Sequence, residues 1–229
     1  MSANEFYTNH MTTFLCHVTT SFGHHVISFL QPTVQNSNGG FTTLVILIVR
    51  IFQSFQPRNV FHACMRAAFL VAFFSFLRIS NLIQYTLSEV HSITSFFFRR
   101  RDTTFTASGA YLKVFRTKTI QFKQRILEIP LPVIPNSILC PVTALTSYFK
   151  LVPAASNYPV FLAPHRSSFA PVLARHFNLF LKRCVSFIGT DPSHFSSRSF
   201  RNGGAPFAFN WALPPSSLRL KEIGKVTLT

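Results

Sequence analysis

The stretch FHACMRAAFLVAFFSFL, residues 61–77, constrains the fold more than any other part of the chain. Apolar residues occupy nearly every face of a helix drawn through it, so such a helix has no side to offer to water and must be enclosed by other elements. It is too short to cross a bilayer, which takes roughly 18 or more apolar residues, and Arg66 and Arg78 interrupt or close it. The second apolar run, Leu44 to Val49, is shorter still and ends at Arg50. Enclosure inside a globular core is what remains. With 229 residues, 48% of them hydrophobic and 28 of them Phe, the chain has enough apolar mass for one sizeable core and is not compositionally disordered.

Helices are expected over 42–55 and 61–77, with Pro57 between them. The segment YLKVFRTKTIQFKQRILEIPLP, 111–132, changes character. Branched and aromatic residues cluster in Tyr111 to Phe115 and Arg125 to Ile129 around a polar middle, which predicts a pair of strands. Pro141 suits the first position of a helix running to about Lys150. Over 169–188, Leu173, Phe177, Phe180, Leu181, Cys184 and Ile188 share one helical face, Arg175, Lys182 and Arg183 fall outside it, and Gly189 stops it. Helices, a small β unit and helices again indicate an α+β class. Residues 1–41, rich in Thr, Ser, His and Asn and reaching QNSNGG, read as a flexible N-terminal segment, and 42–229 as the folded domain.

Charge narrows the range of partners. Against 22 Lys and Arg stand six acids, a formal net charge of +16. Residues 1–49 hold no Lys or Arg and one acid, Glu5, so residues 50–229 carry 22 minus 5, or +17. That surplus points to a polyanion, and to double-stranded nucleic acid contacted at its phosphates before a membrane, since no basic lipid-facing helix is evident. No secretory signal pattern is present, and Cys16, Cys64, Cys140 and Cys184 show no CxxC spacing. Reduced core thiols in an intracellular protein are therefore expected. Cys16, His17, His24 and His25 match no common zinc spacing, so no metal is assigned.

Three basic centres stand in apolar or structured settings. Arg78 follows AAFLVAFFSFL, Lys118 lies between the two expected strands, and Arg201 belongs to SSRSFRNGG. A phosphodiester undergoing displacement gathers negative charge on its non-bridging oxygens, which guanidinium forks meet with paired donors. A lysine on a tight β turn can reach a leaving oxygen and donate a proton. The run Arg99 to Arg101 before Asp102 reads as a solvated charge run, with phosphate contact as the alternative.

FFSFLRISNL, RTKTIQFKQRILEIPLP, LCPVTAL and SSRSFRNGGAPFAF, taken in order, resemble the catalytic domain of tyrosine recombinases, the phage-integrase-like enzymes, in the branch carried by eukaryotic mobile elements. The resemblance runs from about 42 to 218. It implies a mainly helical DNA breaking-rejoining domain with a small antiparallel sheet, wrapped on DNA, with no metal or nucleotide cofactor. Arg78 matches the first catalytic arginine, Lys118 the β-turn lysine and Arg201 the second arginine of a His-x-x-Arg pattern. DNA contacts are expected from these three and from Arg99, Arg100, Arg101, Arg116, Arg175, Lys182, Arg183 and Arg198. DNA recombination and integration, a nuclear location and homo-oligomers on DNA follow from the same resemblance.

The departures are as informative. Arg198 stands at the family's His position; it can hold phosphate but cannot exchange a proton near neutral pH. Asn202 replaces a further arginine of this branch, and Pro206 falls within an expected helix. The five tyrosines are Tyr7, Tyr85, Tyr111, Tyr148 and Tyr158, none at the position expected for the nucleophile beyond ALPPSSLRL. The expectation is an incomplete, degenerate domain that holds DNA and is catalytically impaired. Two other readings are a basic protein that binds nucleic acid by charge alone and the poorly folded product of a decayed reading frame.

Overall fold

The computed structural model describes residues 39–56, 58–87, 98–115 and 126–202. Helix α1 (Gly39–Gln53) leads to α2 (Val60–Ser75) and the one-turn α3 (Ile79–Leu82). A 3-10 turn (Arg100–Asp102) opens a three-stranded antiparallel sheet of β1 (Thr103–Thr106), β2 (Gly109–Val114) and β3 (Leu127–Pro132), in that spatial order. Helix α4 (Pro141–Leu151), a hairpin of β4 (Leu162–His165) and β5 (Ser168–Pro171), and α5 (Ala174–Phe187) follow. A second 3-10 turn (Pro192–His194) precedes a helical segment at 197–202. The fold is α+β, and among the described residues no helix is long and apolar enough to cross a membrane.

Helix α2 is the spine that its composition requires. From Cys64 to Ser75 every residue but Arg66 is buried, and α4, β3 and β4 pack around it. Asn59 starts the helix, its Oδ1 accepting the N–H groups of Phe61 at 2.9 Å and His62 at 3.1 Å. It ends at Phe76, held left-handed at φ 53°, which turns the chain sharply into Arg78. Cys64, Cys140 and Cys184 are buried free thiols; burial pushes Cys64 up to about 12 and Cys184 up to about 11. Cys16 and the neighbouring histidines lie outside the described residues.

Helix α4 begins at Pro141 as expected, and its cap is a sulfur. Cys140 Sγ accepts the Thr143 N–H at 3.4 Å, the Thr143 hydroxyl at 3.1 Å and the Ile134 N–H at 3.3 Å. In the sheet, β2 and β3 pair from Gly109 opposite Pro132 to Val114 opposite Leu127, with Ala110, Leu112 and Val114 facing the core. A Cβ on Gly109 would meet the Leu131 carbonyl oxygen at 2.6 Å, so only glycine fits that register. Pro130 and Pro132 sit on an edge strand, where a missing N–H costs no ladder bond.

Two expectations are corrected. The stretch 169–188 is not helical throughout: α5 starts at Ala174, and residues 168–171 form β5. Pro171 restricts Ala170 to extended backbone, and β5 completes its ladder with β4. The β structure is also larger than one strand pair. Strand β1 extends the sheet to three, and a second hairpin separates α4 from α5. The buried face of α5 is otherwise as read: Phe177, Leu181 and Cys184 are buried, Phe180 and Ile188 pack at the margin, and Gly189 leaves the helix at φ 77°.

Candidate nucleic-acid interface

Phe200 organises one end of the candidate site. Its ring is 1% exposed and lies 5.2 Å from Phe69 of α2 and 5.6 Å from Phe177 of α5. Each residue of a helix turns about 100° from the last, so Arg198 and Arg201 diverge from the inward Phe200. Both are exposed. Asn178 of α5 fixes the segment's start, its Oδ1 accepting the Ser197 N–H at 2.9 Å while its amide donates to the Ala174 carbonyl at 3.0 Å. Ser196 and Ser199 close the turn, with the Ser196 N–H reaching the Ser199 hydroxyl at 3.1 Å.

Arg78 arrives by another route at the same helix. It stands in extended backbone at the start of α3, its carbonyl accepting the Asn81 N–H at 2.8 Å. The buried side chains of Ile79 and Leu82 anchor that turn, and the guanidinium is exposed. Two residues beyond that turn, Gln84 pairs with Leu173 and its carbonyl takes the Ala174 N–H at 2.8 Å. Both arginine-bearing segments are thus fastened to the first turns of α5: Arg78 through Gln84, Arg198 and Arg201 through Ser197 and Phe200. Arg78 also stands two residues beyond the Phe76 cap of α2, where the helix dipole favours a cation.

Helix α5 adds its own cations. Arg175 and Lys182 lie seven apart on one stripe with Leu179 between them, Arg183 lies beside it, and all four are exposed. His176 supports the start of this helix by accepting the Leu173 N–H at Nδ1, 3.4 Å away. Its Nε2 faces the Arg175 Nε–H at 3.3 Å. A neutral imidazole has one acceptor nitrogen, so the two contacts alternate. Burial, and then Arg175, holds the His176 pKa below its ordinary 6.5.

The described carboxylates are engaged elsewhere. Glu128 pairs with Lys113 at 3.7 Å, Asp191 with His194 at 3.5 Å, and Asp102 caps the Arg99 N–H at 2.8 Å while lying 4.0 Å from Arg101. Among the described residues, no carboxylate pairs with Arg78, Arg175, Lys182, Arg183, Arg198 or Arg201. Each of these exposed cations is left without a described carboxylate and could take a phosphate oxygen.

The arginine run at 99–101 does not behave as one solvated unit. Arg101 is exposed and Arg99 half-buried, but Arg100 is 8% exposed. Its guanidinium lies 4.4 Å from the Phe149 ring centroid and 5.7 Å from that of Tyr148, with Nε and Nη2 lacking hydrogen-bond partners. Aromatic faces offset part of the cost of taking this cation out of water. Arg100 is therefore a core cation rather than a solvated one. Arg116 and Lys118, expected on the turn between β2 and β3, lie outside the described residues, as do Gly203, Gly204 and Pro206. Tyr148 is enclosed, its hydroxyl donating to the Leu162 carbonyl at 2.9 Å and accepting the Leu162 N–H at 2.6 Å. It is not available as a nucleophile.

Sequence reasoning singled out the arginines and missed what positions them. Asn178 and Phe200 carry no motif of their own; an aromatic residue between two arginines was the one visible signal.

No protein-family profile matches the chain, and no curated protein matches it by sequence. Among solved structures, the chain is similar to the XerH site-specific recombinase, seen bound to its difH substrate in a pre-cleavage complex. The TM-score is 0.49 at 13% identity, over 85% of this chain and 53% of that one. The chain spans about half the length of that protein.

Proposed function

We propose that this protein binds double-stranded DNA through its phosphates, as a tyrosine-recombinase-like domain whose arginine clamp is retained and whose strand cleavage is impaired. The carrying observation is the attachment of two distant segments, one bearing Arg78 and the other Arg198 and Arg201, to one end of α5, with no described carboxylate to neutralise them. Two guanidinium forks from separate segments can grip the non-bridging oxygens of one phosphodiester, which a single charge run cannot do with fixed geometry. Arg175, Lys182 and Arg183 would take flanking phosphates and set the register of the duplex.

Impairment follows from Arg198. At the place where the resemblance calls for histidine it supplies charge and hydrogen bonds but no proton transfer at neutral pH, so help to the leaving or attacking oxygen is lost. In this reading Lys118 remains the proton donor of the β turn. Residues 42–229 form the DNA-binding unit, derived from a mobile element and acting in the nucleus, as an oligomer on DNA.

The test compares charge-matched double variants on branched and plain duplexes across a salt series. Arg78→Ala with Arg201→Ala should weaken binding to the branched substrate at least tenfold more than Arg50→Ala with Arg58→Ala, an order-of-magnitude expectation for losing bidentate phosphate contacts. Equal losses from the two pairs, on both substrates, would mean binding by charge alone and end the clamp reading.

A further inference from the structure

We propose that the β4–β5 hairpin is a second phosphate-contacting arm, with Arg166 at its tip; this rests on the DNA-binding reading and extends it. The hairpin pairs Leu162 with Pro171 at its base and His165 with Ser168 at its end, leaving Arg166 and Ser167 as the turn. Arg166 has φ 52°. A positive φ at the first central residue of a two-residue hairpin is a place for glycine, and a side chain there is held at a cost. An arginine kept where glycine would be easier is an outlier that invites a functional explanation.

The surroundings fit an anion. Residues 164–169 are all exposed, including Arg166, His165, Ser167 and Ser168, which bring guanidinium, imidazole and hydroxyl donors to one tip. No Asp or Glu occurs between Glu128 and Asp191, so the arm and α5 share one stretch without acid. The base is rigid: Leu162 is locked by the Tyr148 hydroxyl, and the Val172 N–H donates to the Phe161 carbonyl at 2.9 Å. Strand β5 leads through Val172 and Leu173 into α5, so the tip stands at most about 26 Å, eight residues of extended chain, from the start of the basic helix. A duplex lying against α5 would meet the tip at backbone phosphates beyond the helix's own footprint. Guanidinium and hydroxyl groups on a turn suit phosphate oxygens, and contacts confined to phosphates would add affinity without sequence preference.

The experiment uses the full chain and Arg166→Gly. Glycine relieves the backbone, so the variant should melt at the same temperature or higher. Its affinity for a 30-base-pair duplex should fall about threefold to tenfold, and the log K against log salt slope should become shallower by about 0.9, the signature of one lost phosphate contact. Arg166→Lys should keep the slope. An Arg166→Gly variant that is more stable, with unchanged affinity and slope, would show that the turn merely tolerates its arginine, overturning the arm while leaving the clamp intact. A wild-type chain that binds no duplex at low salt overturns the arm and the DNA-binding reading together.

Discussion

Phe200→Ala tests how the clamp is held. Full burial of a phenylalanine contributes about 1.5–3 kcal/mol by transfer alone. The ring sits between Phe69 and Phe177 in a packed core that cannot close over the gap, so the cavity raises the loss to about 3–5 kcal/mol. For a domain of this size, about 2–4 °C is lost per kcal/mol, giving a fall in melting temperature of roughly 6–20 °C. The segment 197–202 is otherwise tied to α5 by the Ser197–Asn178 bond, worth about 0.5–1.5 kcal/mol. Its amides should therefore lose hydrogen-exchange protection before those of α2. DNA affinity should fall as far as in an Arg198→Ala, Arg201→Ala variant, although no charge is removed. Phe200→Leu should cost under about 1.5 kcal/mol and keep binding. A Phe200→Ala protein that melts within about 1 kcal/mol of wild type and binds DNA as well would refute the claim that this ring anchors the arginines.

Cys140→Ser should keep the cap of α4, whereas Cys140→Ala leaves its donors without an acceptor and should cost about 1–3 kcal/mol in chemical denaturation. Gly109→Ala forces β2 away from the Leu131 carbonyl and should destabilise by more than 1 kcal/mol, an order-of-magnitude figure for a steric backbone clash, read from the same denaturation. Burial holds both His62 and His176 below their ordinary 6.5, and each accepts a backbone N–H, His62 from Gln56 at 2.9 Å. The unfolded chain then binds more protons than the folded one just below pH 6.5, so stability is full above that value and declines as pH falls below it. A His62→Gln, His176→Gln variant should flatten that decline in a melting series from pH 7.5 to 5, values chosen to bracket the usual histidine range.

The parts of the fold legible in the sequence are those whose signal is long and local. An all-round apolar run gave α2, Pro141 marked the start of α4, and a single apolar face with Gly189 beyond it gave α5 from Phe177 onward. Strands β1, β4 and β5 are four residues each and largely exposed, so they carry no alternation to read. The site divides in the same way. Arg78 and Arg201 could be named from their motif contexts, but their common attachment to α5 depends on Gln84 meeting Leu173 and Ser197 meeting Asn178, pairings between segments far apart in sequence. Arg100 could not be distinguished from Arg101 by its neighbours. What separates them is the aromatic pair at 148–149, brought beside Arg100 only by folding.

Arg100 also makes the tri-arginine run an intrinsic reporter of folding. Proteases that cut after arginine need the side chain in their specificity pocket and several residues of backbone in extended, unpaired form. Here the Arg100 side chain is enclosed by aromatic rings, and the amides of Arg100 and Arg101 are bonded to the carbonyls of Tyr158 and Ser156. The most basic tripeptide in the folded region, an obvious cleavage point in an open chain, becomes cuttable at Arg100 only when the aromatic cradle opens. Trypsin cleavage there counts molecules that have lost their core.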